Sequence, residues 1–208
     1  TLTNRVKNSL LKEDLCHREP EFNELQQNIR EKLLLVYNLG DCDWTSILLT
    51  GSGTAAVEAL ITSLVPKNSK LLIAENGVYG ERIKKIAAAF QIDNDQIKSD
   101  WVEAINLVSL EKAIATKNYS HLALVHHETT TGRLNKLDQI LDICEKYECK
   151  ILLDAVSSFG AEDIDFNNNV IAGVAATANK CLHGVPGISF VIANKKFLVN
   201  EKDPKRSV

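Results

Sequence analysis

From Pro20 onward, the apolar residues Phe22, Leu25, Ile29, Leu33 and Val36 recur every three or four positions, the period of one face of a helix. Proline suits the first helical turn, where its missing N–H would have no partner in any case. Gly40 is expected to end the helix. Past that point the pattern changes. Apolar runs of strand length now alternate with amphipathic stretches of helix length. Residues 46–50, 70–74, 121–126, 150–156, 170–176 and 188–194 read as strands, with a shorter one near 96–98. Residues near 53–64, 79–90, 109–116 and 136–147 read as helices. The first of these ends near Pro66, and Ile83, Ile86, Ala87 and Phe90 share one face of the second. The strands are apolar throughout rather than alternating, so helices are expected on both faces of the sheet. The predicted fold is α/β, three layers around a mostly parallel sheet. No repeat, low-complexity stretch or linker interrupts it. Residues 1–208 are therefore expected to form one large domain, with 1–40 as N-terminal segment and long helix and 41–208 as the α/β core.

Composition narrows the picture. Hydrophobic residues make up 45% and charged residues 25% of the 208, an ordinary globular balance. A net charge of −3 offers no basic field for nucleic acid or anionic lipid. No apolar run reaches membrane-spanning length. The five cysteines, Cys16, Cys42, Cys144, Cys149 and Cys181, are scattered and form no C-x-x-C pair. They suggest a reducing cytoplasm and small-volume packing rather than disulfides or zinc. The abrupt start at Thr1 to Asn4 and the polar tail EKDPKRSV suggest a piece of a longer protein.

In such a sheet, ligands sit beyond the carboxyl ends of the strands. The run TGSGTAAVEAL (50–60) places a glycine-rich turn between a strand and a helix. Free N–H groups at that helix start, with the Ser52 and Thr54 hydroxyls, suit a phosphate. A plain turn and cap would look the same. So would a dinucleotide site, because Gly51, Gly53 and Ala56 fit G-x-G-x-x-A and Glu75 follows the next strand. Two further residues separate these readings. Asp154 ends an apolar run, where a carboxylate needs a partner. Lys180 lies one strand later, in ATANKCLHGVPG, so adjacent strand ends can bring the two together. A nicotinamide enzyme has no general use for that pair. A pyridoxal phosphate enzyme does: lysine takes the cofactor aldehyde and the acid keeps the pyridinium protonated. Burial of Lys180 is expected to free its amine as a nucleophile.

Here the chain resembles a known family. CHREPEF (16–22), LLTGSGTAAVEA (48–59), NGVYGER (76–82), HHETTTGRLN (126–135), LLDAVSSFG (152–160) and ANKCLHGVPG (178–187) are similar, in order, to the class V, fold-type I pyridoxal phosphate aminotransferases. Within that family, the branch that transaminates 2-aminoethylphosphonate with pyruvate is most similar. The resemblance implies pyridoxal 5′-phosphate as cofactor, amine and keto-acid substrates, and a homodimer with a shared active site. It makes Lys180 the Schiff-base lysine and the later proton carrier, and Asp154 the partner of the ring nitrogen. Tyr79 would stack on the ring. Ser52, Gly53 and Thr54 would hold the phosphate, assisted by Thr177 and Asn179, and Thr131 would bond near the phenolic oxygen. Family members continue into a small domain that supplies an arginine for the substrate acid group, and none of Arg18, Arg82 and Arg133 is expected to replace it. The alternatives are another class V member, such as an alanine–glyoxylate type, a nicotinamide-dependent oxidoreductase, or a fragment that only holds the cofactor. A desulfurase is disfavoured, because the residue before the lysine is Asn179 rather than histidine. His126-His127-Glu128 looks like a metal motif, but neighbours on a strand face opposite ways.

Overall fold

The long apolar runs become a seven-stranded sheet in the order β1-β9-β8-β7-β4-β2-β3. The computed structural model describes residues 2–40, 43–116 and 118–198; Thr1, Cys42 and the tail 201–208 lie outside them. In chain order the strands are β1 (Trp44–Thr50), β2 (Lys70–Glu75), β3 (Asn94–Lys98), β4 (Tyr119–Val125), β7 (Lys150–Asp154), β8 (Ile171–Thr177) and β9 (Ile188–Asn194). The five strands β8-β7-β4-β2-β3 are parallel neighbours. Only β9 runs against them, antiparallel to both β8 and β1. β8 is buried along its whole length, as expected of a strand covered on both faces.

Two apolar layers sandwich this sheet. On one side α3 (Gly53–Leu64) and α4 (Val78–Ala89) pack Leu60, Ile61, Ile83 and Ala87 against Leu71, Ile73 and Ala123. On the other, α5 (Leu107–Thr116) and α6 (Leu137–Lys146) pack Leu110, Ile140 and Leu141 against Leu72, Leu122 and Ile151. Consecutive residues of one strand thus serve opposite layers, which is why the runs are apolar without alternation.

Three features depart from the pattern reading. The long helix, α2 (Pro20–Leu35), stops before Gly40. Asn38 takes the left-handed turn at φ 54° and Leu39 N–H bonds back to Leu34 O at 3.0 Å; asparagine tolerates this conformation almost as glycine does. The stripe read as its buried face is largely open: Leu25, Ile29 and Val36 are 45%, 38% and 39% exposed, and only Leu33 and Leu34 in the helix are buried. Finally, the run 150–156 leaves the sheet at Asp154, because the Asp154 carboxylate captures Val156 N–H at 3.0 Å. Pattern alone also misses α1 (Asn4–Ser9), the hairpin β5 (His127–Glu128) with β6 (Arg133–Leu134), and α7 (Lys195–Leu198). Each is too short to show a period.

Candidate active site

The carboxyl ends of β1, β7 and β8 and the starts of α3 and α4 enclose a cavity of about 510 Å³. Ser52, Gly53, Thr54, Tyr79, Asp154, Thr177, Asn179 and Lys180 all line it. Thr131 does not; its hydroxyl donates to Glu128 O at 3.3 Å within its own turn.

The glycine-rich turn is built for close approach. Gly51 N–H donates to Gly187 O at 2.8 Å, tying the end of β1 to the loop before β9. A Cβ on Gly53 would come within 2.8 Å of Val156, so the start of α3 sits directly against the residue that holds Asp154. Ser52 has extended backbone and its hydroxyl makes no capping bond. The first N–H groups of α3 lack intrahelical acceptors, which makes the start of the helix a seat for an anion.

Asp154 closes the inner wall. It is buried, and its pKa is pushed up to about 6. Burial raises it most; the Val156 N–H lowers it, the charge of Glu128 raises it and Arg82 lowers it. A carboxylate at such a cost favours a cation beside it.

Tyr79 is presented by α4, whose start is held by Glu128. That side chain is fully buried. Its Oε2 accepts Tyr79 N–H at 3.0 Å and Gly80 N–H at 3.3 Å, and its Oε1 accepts Thr130 Oγ1–H at 2.7 Å. The carboxylate thus sits at the positive end of the helix. Gly77 makes room for it: a Cβ there would lie 2.7 Å from Oε2.

Lys180 corrects an expectation. It is exposed, not buried. β8 ends at Thr177, and Lys180 stands three residues further on in a turn whose backbone closes on itself. Gly184 N–H donates to Ala178 O at 2.7 Å, His183 N–H to Lys180 O at 2.9 Å and Ala178 N–H to Ile188 O at 3.0 Å. A Cβ on Gly184 would press on Ala178 at 3.0 Å, so the turn closes tightly only with glycine at that position. The Thr177 hydroxyl lies 2.8 Å from Asn179 Oδ1 and 3.0 Å from Ile188 O, steadying the same turn.

The residues set aside have other tasks. His126 Nδ1 and Ser158 Oγ share a hydrogen bond at 3.0 Å, and burial pushes the His126 pKa down to about 4. No group of three or more His, Cys, Asp or Glu among the described residues could hold a metal ion. Cys181 Sγ packs at 3.3 Å from Ser157 O. Glu75, the acid of the dinucleotide pattern, is buried against Lys98 at 3.5 Å and stays outside the cavity. Of the three arginines considered, only Arg82 lines the cavity. Two contributors escaped the sequence reading. Glu128 lay within the matching run HHETTTGRLN and in an apparent metal motif, but no role was assigned to it, and nothing in the sequence marks Val156 as the clasp of Asp154.

The arrangement offers an anion seat, an aromatic face, a buried acid and a free amine around one cavity. The sequence profile described as "Aminotransferase class-V" matches residues 5–206. A 2-aminoethylphosphonate–pyruvate transaminase of Bacillus cereus (strain ATCC 10987 / NRS 248) is 39% identical over the whole of this chain, which spans 57% of that relative's length. Among solved structures, an alanine–glyoxylate aminotransferase from Nostoc sp. superposes with a TM-score of 0.86 at 27% identity, over 95% of this chain and 52% of that one. An aspartate aminotransferase of subgroup IV from Thermus thermophilus gives 0.85 at 25% identity, over 95% and 55%.

Proposed function

This chain belongs to the class V aminotransferase family, and on that basis we propose that it is the large, cofactor-binding domain of a pyridoxal phosphate-dependent transaminase. The whole protein moves the amino group of 2-aminoethylphosphonate to pyruvate, giving phosphonoacetaldehyde and L-alanine. The observation that carries the reading is the meeting of Asp154, Lys180, Tyr79 and the start of α3 around one cavity. The printed activity of the 39%-identical relative supports the choice of substrates.

The residues fit the cofactor. The α3 start with Ser52 and Thr54 matches a phosphate, and Asp154, ionised against its environment, matches a protonated ring nitrogen. The bound cofactor supplies an electron-poor ring that takes up the electron pair left when the substrate carbon loses its proton. Asp154 would hold the charge of that ring nitrogen, and Tyr79 would offer its aromatic face to the ring. Lys180, exposed on the turn past β8, would hold the aldehyde end of the cofactor and would serve as the base that moves the substrate proton. Thr177 and Asn179 hold the turn in place, and Thr131 closes the turn that follows Glu128.

The protein works as a homodimer, supported by the open apolar stripe on α2 with the exposed Leu10, Leu11 and Leu15 before it. It resides in the cytoplasm, supported by the unpaired Cys16, Cys144, Cys149 and Cys181. No helix among the described residues is long and apolar enough to cross a membrane.

Incubating full-length protein with 2-aminoethylphosphonate and pyruvate is expected to release alanine. Turnover of alanine with glyoxylate instead would replace the substrates and keep the class. The purified protein is expected to show a visible absorption band that borohydride removes and that Lys180→Ala lacks. A retained nicotinamide nucleotide without that band would defeat the class as well.

A further inference from the structure

Arg82 forms no ion pair with a carboxylate among the described residues, although its charge lowers the pKa of Asp154 in the same cavity. Its Nη1 donates to Thr54 Oγ1 at 3.1 Å, and its guanidinium lies 4.8 Å from the centre of the Tyr79 ring. No ion pair joins it to a described residue, although Glu81 precedes it and pairs instead with Lys85 at 3.5 Å. It stands at the accessible mouth of the cavity, beside the first turn of α3.

That position is electrostatically odd. A helix N-terminus carries partial positive charge and favours anions. A guanidinium bonded to a first-turn hydroxyl adds like charge there, and Asp154, whose pKa it lowers from across the same cavity, forms no ion pair with it. The arrangement balances when a multiply charged anion occupies the seat. Arginine presents a planar fork suited to tetrahedral oxyanions, and the Tyr79 ring holds that fork in place by a cation–π contact.

We propose that Arg82 binds the phosphate dianion seated at the start of α3, the dianion being that of pyridoxal 5′-phosphate. The inference rests on the cofactor assignment above. It gives the chain its own charge for the phosphate, alongside the hydroxyls and N–H groups of the glycine-rich turn. Arg82 thereby positions the cofactor through its phosphate rather than its ring.

Binding to full-length protein tests it. Dissociation constants for pyridoxal 5′-phosphate and for pyridoxal, which lacks the phosphate, are measured in the parent, Arg82→Gln and Arg82→Lys. Lys85→Gln, one turn along α4, is the control. Arg82→Gln is expected to weaken pyridoxal phosphate about 10-fold and pyridoxal less than about twofold. Arg82→Lys recovers part of the loss, because it keeps charge without the fork. Equal weakening of both ligands overturns the proposal, since Arg82 would then act through the ring stack. Unchanged affinity overturns it too, including the case where only the KM for the phosphonate amine rises. A second arm uses inorganic phosphate and cofactor-free protein. A thermal shift seen in the parent and lost in Arg82→Gln supports the anion role; an equal shift in both overturns it. A parent that binds phosphate but not pyridoxal phosphate would defeat the proposed function, and the phosphate arm would still decide Arg82.

Discussion

Asp154 and His126 are both buried in forms that oppose their usual charge, and they pull stability in opposite directions with pH. The Asp154 pKa rises from 3.8 to about 6 on folding, so the folded chain holds its proton more tightly than the unfolded one. Stability without cofactor therefore falls as pH rises from about 4 to 6, by roughly 3 kcal/mol. The His126 pKa falls from 6.5 to about 4. Its neutral form is the folded one, so its contribution is present above pH 6.5 and is lost as pH falls towards 4. In the cofactor-free parent the two trends offset. Asp154→Asn keeps the acceptor for Val156 N–H and removes only the charge. Chemical denaturation should show this variant more stable than the parent at pH 7.5, equal to it near pH 4, and gaining stability as pH rises between them. The same variant should bind cofactor more weakly by on the order of 100-fold, the cost of truncating one partner of a buried charge pair. Tighter binding would remove Asp154 from its assigned role. Lys180 makes the opposite point: it was expected inside, and the turn past β8 leaves it outside, so its amine needs no burial to be accessible.

At the scale of elements, α4 depends on a residue far away in sequence. The Glu128 carboxylate caps it and so sets where Tyr79 and Arg82 stand. Gly77→Ala would push into that carboxylate, which is fully buried and cannot yield. Overpacking of this kind costs about 1–3 kcal/mol, and thermal melts should show it. Because α4 must then shift, cofactor affinity should fall along with stability. A variant with lowered stability and unchanged affinity would uncouple Glu128 from the site. Neighbouring motifs are tied in the same way. Asn76 Nδ2 donates to Asn135 Oδ1 at 2.8 Å, and Asn135 Nδ2 to Val125 O at 2.8 Å. The strand and helix runs were legible because 3.6-fold and continuous apolar patterns persist over many residues. The β5–β6 hairpin was not, since two-residue strands carry no period, yet it delivers Glu128.

For the molecule as a whole, the stripe on α2 is the feature that one chain leaves unfinished. Leu25 and Ile29 share a helical face with Leu33, and only the last is covered, where the helix meets the main core. If solvent covered the rest, Leu25→Asp with Ile29→Asp would change stability by no more than about 0.5 kcal/mol each, as at ordinary surfaces. In a homodimer built on this stripe, sedimentation should show the double variant as monomer where the parent is dimer. An unchanged dimer would place the subunit contact elsewhere.

The sequence by itself determined the layered α/β fold and the identities of the chemical groups. Apolar runs, glycine turns and the order of Ser52, Asp154 and Lys180 follow from local pattern and backbone preference. Only the tertiary structure decided their relations. Strand order placed β1, β7 and β8 so that their ends share one cavity. A fully buried Glu128, on the hairpin after β4, met the first N–H groups of α4. Arg82 came to rest on Thr54, and Lys180 on an open turn. These are contacts between residues distant in the chain, set by which strands pair and which helix ends converge, and no local periodicity encodes them.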